Sequence, residues 1–147
     1  TTANDCLAVF KIKEVNSNAS TGLELALDNI KDPGNMGTII RLCDWFGISK
    51  IVCTEETVDI YNPKVVQATM GSLARVEVLY TNLTNYLKTT DLGIIVMGNE
   101  ANGISAEIES LVTQKISIPR FGNLQQTESL NVATATAVIL SEFKRSI

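Results

Sequence analysis

Histidine is absent from the 147-residue chain, and its three cysteines, Cys6, Cys43 and Cys53, contain no Cys-x-x-Cys pair. Zinc sites are built largely from imidazoles and thiolates, so neither a structural nor a catalytic metal is expected. A mechanism that depends on a histidine base is excluded as well. Because Cys43 and Cys53 lie in apolar segments, the sequence favours buried, reduced thiols in a cytoplasmic protein.

Long hydrophobic runs and clustered positive charge are also lacking. No apolar stretch approaches the roughly 20 residues that a membrane-spanning helix needs, and no signal-peptide pattern is visible, so no membrane association is expected. The formal net charge is −4 and the pI is near 4.8, with the basic residues scattered along the chain. That balance weakens, without excluding, an RNA substrate, since RNA is held largely by clustered Lys and Arg.

What the chain does have is 45% hydrophobic residues, enough for one well-buried domain in a length too short for two. Residues 1–20 are expected to be a linker remnant and an arm leading into the domain, with the apolar run Leu7–Ile12 as a strand or a packed segment. Residues 21–147 form the domain itself. Since the chain does not begin with methionine, we expect that it starts inside a larger protein.

Segments with strand patterns alternate with segments of helical periodicity, which predicts an α/β fold with a mostly parallel sheet and helices on both faces. The run Gly93–Gly98 is apolar without alternation, the pattern of a central strand covered on both faces. Predicted strands cover residues 23–28, 51–53, 76–80, 93–98 and 116–118. Predicted helices run from the 29–37 loop to Gly47, from 62 to 70, from 83 to 88, from 106 to 112, and from about 129 onward.

Three polar loops, which follow Asp28, Met97 and Ile118, stand at the carboxyl ends of predicted strands. In open α/β sheets ligands bind at that edge, so the three loops are expected to gather there. The first loop lacks the Gly-x-Gly-x-x-Gly of dinucleotide sites and the Gly-Lys-Ser/Thr of a P-loop. A flavodoxin-like nucleotide-binding domain, which would need such phosphate-binding residues, is therefore disfavoured.

The last predicted helix is apolar on two stripes, as expected for a helix buried against two surfaces. The second surface is either the rest of an ordinary core or, in an oligomer, a partner subunit. A polar cluster of Glu128, Ser129 and Asn131 stands at its start, where free backbone N–H groups favour a polar or anionic ligand.

Several motifs occur in one order along the chain: Asp28–Arg41 with Asn35 and Gly37, Asn62-Pro-Lys, Thr69–Ser72, Gly98-Asn-Glu-Ala-Asn-Gly103, Ile118-Pro119 with Gly122, and Ser129-Leu-Asn131. Together they resemble the catalytic domain of the SpoU/TrmH family of S-adenosylmethionine-dependent RNA 2′-O-methyltransferases, in the SPOUT superfamily. The resemblance covers about residues 23–143.

That resemblance implies a fold with a C-terminal trefoil knot, which no periodicity in the sequence shows and which is rare among folds in general. It implies S-adenosylmethionine as methyl donor, a transfer or ribosomal RNA as substrate, and a homodimer packed partly through the final helix. It also implies an RNA-recognition domain before Thr1, and the acidic balance of this chain fits a catalytic part that depends on a basic one.

By position, the resemblance assigns one set of residues to the methyl-transfer site and one to the donor. Asn35 would position Arg41 or the ribose, and Glu100 would fix the loop around the donor. Alternatively, Glu100 and Asn131 merely cap a loop and a helix. The methyl-transfer set is Asn35, Arg41, Glu100, Ser129 and Asn131. The donor-binding set is Gly98, Asn99, Glu100, Gly103, Ile118, Pro119, Gly122, Leu130 and Asn131.

Arg41 is the residue that the family favours for activating the ribose hydroxyl. Deprotonating a guanidinium at pH 7 would cost about 7 kcal/mol, given its ordinary pKa near 12.5. We therefore expect Arg41 to orient the hydroxyl or an adjacent phosphate through its charge. It would act as a base only if its surroundings strongly favoured the neutral form.

Two departures from the family pattern bear on the donor site. Extra residues around Leu124–Thr127 lengthen the third motif and are expected to alter the lid over the donor, and Ala101 and Asn102 replace a glycine-rich pattern in the second. A family member that binds RNA or protein without catalysis is the alternative to an enzyme. Retention of the polar residues of the methyl-transfer set favours the enzyme.

Overall fold

The computed structural model describes residues 8–12, 22–121, 123 and 129–145. At its centre is a four-stranded parallel sheet with the strand order β3-β2-β1-β4. The strands are β1 (Glu24–Asp28), β2 (Lys50–Cys53), β3 (Glu77–Tyr80) and β4 (Ile94–Gly98). The helices are α1 (Pro33–Phe46), α2 (Pro63–Thr69), α3 (Leu83–Thr89), α4 (Ala106–Glu109) and α5 (Val132–Arg145), with a 3-10 turn at Ser72–Ala74.

Helices cover both faces of this sheet, as predicted. On one face, Leu25 and Leu27 of β1 belong to the larger core, together with Ile40 of α1 and Leu140 of α5. On the other face, a smaller core joins residues of β1 and β2 to α3 and α4 through Ala26, Val52, Leu83 and Ile108. The sequence-based assignment of a mostly parallel α/β fold is therefore confirmed.

Strand β1 is buried along its whole length, although it begins with Glu24 and ends with Asp28. The hydroxyl of Tyr86 donates to Glu24 Oε2 at 2.7 Å, and the Lys50 ammonium lies 3.6 Å from Glu24 Oε1. At the other end of the strand, Asp28 Oδ2 accepts the backbone N–H of Ser105. Because each carboxylate has a partner, a strand with polar positions can lie in the interior.

Helix α1 begins earlier than predicted, at Pro33, so the first-motif glycines lie in the helix and not in the preceding loop. The side chain of Asp32 caps it by accepting the N–H of Asn35 at 2.7 Å. The helix ends at Gly47, whose left-handed φ of 68° is the predicted glycine stop.

Gly37 lets helices α1 and α2 pack in close contact. A Cβ atom at this position would lie 2.4 Å from Ala68 Cβ and 2.8 Å from the carbonyl oxygen of Val65. No side chain fits there without moving α2. The first-motif glycine is thus required by helix packing.

Two strand predictions differ from the structure, the first only in its place in the sheet, since Ile94–Gly98 does form a strand. Gly93–Gly98 is apolar but lies at the edge of the described sheet, because its pattern reflects helices over both faces and not strands on both sides. Ile116 and Ile118 fall in a segment without regular secondary structure, where Ile116 is 48% exposed.

Two helix ends and the segment before the domain also differ from the prediction. Helix α4 stops at Glu109, three residues before Val112, and α5 starts at Val132 and not near Ser129. Residues 8–12 form neither a strand nor a packed segment, and Phe10 is 85% exposed. Leu7 lies outside the described residues.

Alkaline pH should destabilise the fold. Burial raises the pKa of the Cys43 thiol to about 12. Burial, and to a smaller extent the charge of the nearby Cys43, also raises the pKa of the Cys53 thiol. Burial raises the pKa of Tyr80 as well. Unfolded cysteines lose their proton near pH 8.5, so the unfolded chain deprotonates first. The stabilisation is complete below that pH and is lost as pH rises toward the folded values.

Denaturant unfolding between pH 7.5 and 10.5 measures this effect. We expect the unfolding free energy to fall by about 1.4 kcal/mol per pH unit for each thiol above pH 8.5. A Cys43→Ala/Cys53→Ala variant should have a shallower slope, with Tyr80 contributing the remainder. If the unfolding free energy of the original chain and of the double variant fell equally with pH, the two thiols would not be the cause of the pH dependence.

Candidate functional site

A chain of hydrogen bonds joins the three predicted loops at the carboxyl edge of the sheet. The Asn35 side-chain amide donates to Glu100 Oε1. In turn, Asn131 Nδ2 donates to Asn35 Oδ1 at 2.8 Å. Residues from α1, the loop after β4 and the start of α5 therefore meet, as the sequence predicted. We call Glu100, Asn35 and Asn131 the polar relay.

Asn131 also caps helix α5. Its Oδ1 accepts the backbone N–H groups of Ala133 at 3.0 Å and Thr134 at 3.2 Å. This accounts for the start of α5 at Val132, since the side chain satisfies N–H groups that the helix leaves free. One amide thus caps a helix with its oxygen and joins the relay with its nitrogen.

Two substitutions at Asn131 should separate these contacts. Asn131→Ala removes both and should lower the unfolding free energy by about 1 kcal/mol through loss of the cap. Asn131→Asp keeps the accepting oxygen but cannot donate to Asn35, so stability should be retained while the methyl transfer that the resemblance implies should fall. Thermal unfolding and a methyl-transfer assay on both variants give the comparison. If Asn131→Asp kept full activity, the hydrogen bond from Asn131 to Asn35 would have no role in methyl transfer.

The loop after β4 is closed on itself. Asn99 and Gly103 exchange two backbone hydrogen bonds of 2.9 and 2.8 Å. Asn99 Oδ1 accepts the N–H groups of Ala101 at 2.8 Å and Asn102 at 3.3 Å. A Cβ on Gly98 would lie 2.3 Å from the carbonyl carbon of Gly103, so only glycine permits this closure. Ala101 and Asn102, which replace the family's glycine-rich pattern, fit in this loop because only their backbone N–H groups bond to Asn99.

The third loop is described in part. Ile118 is half-buried, Pro119 is exposed, and Leu130 is 48% exposed. Ser129 is exposed and makes no hydrogen bond to the described residues. Gly122 and the extra residues 124–127 lie outside the described part of the chain, so their donor-binding and lid roles stay predictions.

Arg41 lies apart from the polar relay. It is six residues beyond Asn35 on α1, nearly two turns along and on another side of the helix. Its side chain is exposed and makes no hydrogen bond or ion pair with any described residue. Asn35 was expected to position either Arg41 or the ribose. Its side chain contacts Glu100 and Asn131 and not Arg41, so positioning of the ribose stays a prediction.

Sequence reasoning missed the residues under the loop after β4. Asn99 Nδ2 donates to the carbonyl of Asn29 at 2.7 Å, and Thr54 Oγ1 accepts the N–H of Asn29 at 2.9 Å. Asp28 holds the far end of the same loop through Ser105. The available signal was a polar pair, Asp28-Asn29, at the end of a strand whose other residues are mostly apolar.

Within the described ranges, no group of three or more Cys, Asp or Glu side chains lies close enough to hold a metal ion. None of the helices described has the length and apolar character to cross a bilayer. A largely apolar cavity of about 340 Å³ lies between residues 116–119 and helix α5. From α5 it is lined by Val138, Ile139, Glu142 and Phe143.

Comparison with known sequences gives one family. The pattern described as the SpoU rRNA Methylase family matches residues 22–94 and 88–141. The 23S rRNA (guanosine(2553)-2′-O)-methyltransferase RlmP of Bacillus subtilis is 29% identical over 140 residues, covering 79% of this chain and 55% of its own length. An uncharacterized tRNA/rRNA methyltransferase of Synechocystis is 31% identical over 148 residues, covering 84% of this chain and 53% of its own.

Solved structures give the same fold. A Porphyromonas gingivalis protein assigned to the TrmH family of RNA methyltransferases superposes with a TM-score of 0.76 at 38% identity, over 86% of this chain and 60% of that one. An AdoMet-bound rRNA methyltransferase from Sinorhizobium meliloti superposes with a TM-score of 0.77 at 30% identity, over 88% and 58%. The present chain spans about half the length of the curated relatives it matches.

Proposed function

Because this chain belongs to the SpoU rRNA methylase family, we propose that it transfers a methyl group from S-adenosylmethionine to a ribose 2′-hydroxyl of transfer or ribosomal RNA. The observation that carries the proposal is the polar relay. It joins three segments that are up to 96 residues apart in sequence, and these are the three that bear the family's motifs. Side chains that only capped local turns would not need to meet.

The donor is proposed to lie against the loop Gly98–Gly103, with Ile118, Pro119, Gly122, Leu130 and Asn131 around it. The donor's sulfonium and ammonium groups are both cationic, and Glu100 and Asp32 place carboxylates at this edge. Exposed Leu130 and half-buried Ile118 offer apolar surface for a base. When bound, the donor supplies an electrophilic methyl group, and the chain's part is to orient and to exclude water.

The acceptor is proposed to be oriented by Arg41. A solvated, unpaired guanidinium keeps its five donors available for a phosphate or a ribose oxygen. Ser129 is exposed beside the relay at the start of α5 and supplies a further hydroxyl for positioning the ribose. None of these roles requires a metal.

We further propose a homodimer in the cytoplasm, packed partly through α5, in a protein whose preceding domain recognises RNA. Support for the dimer comes from apolar side chains left uncovered at and just before that helix, where Leu130, Val138 and Phe143 are 48%, 44% and 42% exposed. Sedimentation of the purified chain over a range of concentrations tests this part separately. A trefoil knot in the C-terminal segment is proposed on the family resemblance alone.

Calorimetric titration of this chain with S-adenosylmethionine and with S-adenosylhomocysteine is the first test. Micromolar affinity for both is expected, followed by transfer of labelled methyl to bulk ribosomal or transfer RNA. The product is checked as 2′-O-methylated nucleosides after digestion. If a folded chain binds neither compound, the non-catalytic alternative replaces the proposal.

A further inference from the structure

We propose that Asp28 and Asn29, at the end of β1, are positioning residues that hold the donor loop Gly98–Ser105 in its closed form before any ligand binds. This inference rests on the proposed function, because it concerns the loop to which that function assigns the donor. Both residues lie in the first motif, but neither belongs to the methyl-transfer set or the donor-binding set. Both act through the loop and not on the reacting atoms.

The first contact fixes the far end of the loop. The Asp28 carboxylate is 5% exposed, and its Oδ2 accepts the backbone N–H of Ser105 at 2.7 Å across 77 positions of sequence. Ser105 is the residue at which α4 begins, and its own side chain makes no capping hydrogen bond. A buried, charged acceptor therefore anchors a loop end that has no local cap of its own.

The second contact fixes the near end. Asn29 has a left-handed φ of 60°, one of two described residues other than glycine with positive φ. In this conformation its N–H donates to Thr54 Oγ1 at 2.9 Å and its carbonyl accepts Asn99 Nδ2 at 2.7 Å. An unusual backbone conformation persists where surrounding contacts determine it, and here they join β1, the end of β2 and the loop.

Together the two contacts leave the loop little freedom. Its two ends are bound to Asp28, the last residue of buried strand β1, and to Asn29, the residue that follows the strand, and Asn99 and Gly103 pair within the loop. Glu100 lies between these points, where it accepts from Asn35. Preorganisation of this kind raises affinity because the ordering is complete before the ligand arrives.

Three substitutions test the inference. Asp28→Ala removes the acceptor, whereas Asp28→Asn keeps an oxygen that can accept the Ser105 N–H. Asn99→Asp keeps the oxygen that organises the turn but cannot donate to the Asn29 carbonyl. Amide hydrogen exchange of the ligand-free chain should be at least about tenfold faster across residues 99–105 in Asp28→Ala and Asn99→Asp. In Asp28→Asn it should stay within about threefold of the original chain.

Donor affinity is the second measurement. S-Adenosylmethionine should bind at least about tenfold more weakly to Asp28→Ala and Asn99→Asp, and nearly normally to Asp28→Asn. If Asp28→Ala lowers the melting temperature but leaves both loop exchange and affinity unchanged, Asp28 is structural only and the inference is overturned. If the original chain binds no donor, the proposed function fails, and the exchange rates alone still decide whether β1 holds the loop.

Discussion

Replacing Arg41 with alanine is expected to lower the rate of methyl transfer at least about a hundredfold while the affinity for S-adenosylmethionine changes less than about tenfold. We expect the rate and the donor affinity to respond differently because of where Arg41 lies. Arg41 is exposed, has no described partner, and lies apart from the polar relay. Its removal therefore leaves the donor loop intact and takes away only a charge available to the RNA.

Two further variants define the role of Arg41. Arg41→Lys keeps the positive charge but loses the planar fork, so it should recover part of the rate if charge alone orients the phosphate and little if two parallel hydrogen bonds are needed. Lys88→Ala, at an exposed position of α3 outside the family motifs, is the control for a general loss of positive charge. Single-turnover rates and donor titrations are required together, and a loss of donor affinity beyond tenfold in Arg41→Ala would falsify this role.

The surroundings of Arg41 bear on how it would act. Its side chain is exposed and makes no hydrogen bond or ion pair with any described residue, so its guanidinium donors are available to a phosphate or a ribose oxygen. We therefore propose that Arg41 orients the hydroxyl or the phosphate through its charge.

The sequence predicted the layered fold because strand and helix periodicities are local properties of the chain. It also predicted that the loops after Asp28, Met97 and Ile118 would gather at one edge, since parallel strands place their carboxyl ends together. It predicted the strand at Gly93–Gly98 but not its place at the edge of the described sheet, because an apolar run indicates burial of both faces and does not show which strands lie beside it.

The donor loop shows a second limit of sequence reasoning. The motif pointed to Asn99 as a donor-binding residue, but its side chain is used within the protein, on the Asn29 carbonyl and the turn at 101 and 102. Asp28 is a polar residue at the end of a predicted strand, and the sequence does not show that it is buried. Hydrogen bonds across 70 or more residues depend on the tertiary fold, so no local pattern reveals them.

Asn35 should be the most sensitive residue of the polar relay, because its amide is the only group that contacts both Glu100 and Asn131 among the described residues. Asn35→Ala should weaken donor binding by about 10- to 100-fold, the range expected for losing a hydrogen bond to a charged group. Stability should change little, since the backbone N–H that Asp32 caps is retained. Asn35→Asp should be more damaging, because it sets a second carboxylate against Glu100.

A double substitution then decides what Glu100 does. Asn35→Asp with Glu100→Gln reverses the direction of the hydrogen bond while keeping the same net charge, so a tether between the loop and α1 is restored. If Glu100 acts by fixing the loop, as the resemblance implies, the double variant should bind S-adenosylmethionine within about tenfold of the original chain and far more tightly than Asn35→Asp alone. If the double variant stays as weak as the single one, the carboxylate at position 100 must face the cationic donor directly. The same titration therefore separates a residue that shapes the site from one that contacts its ligand.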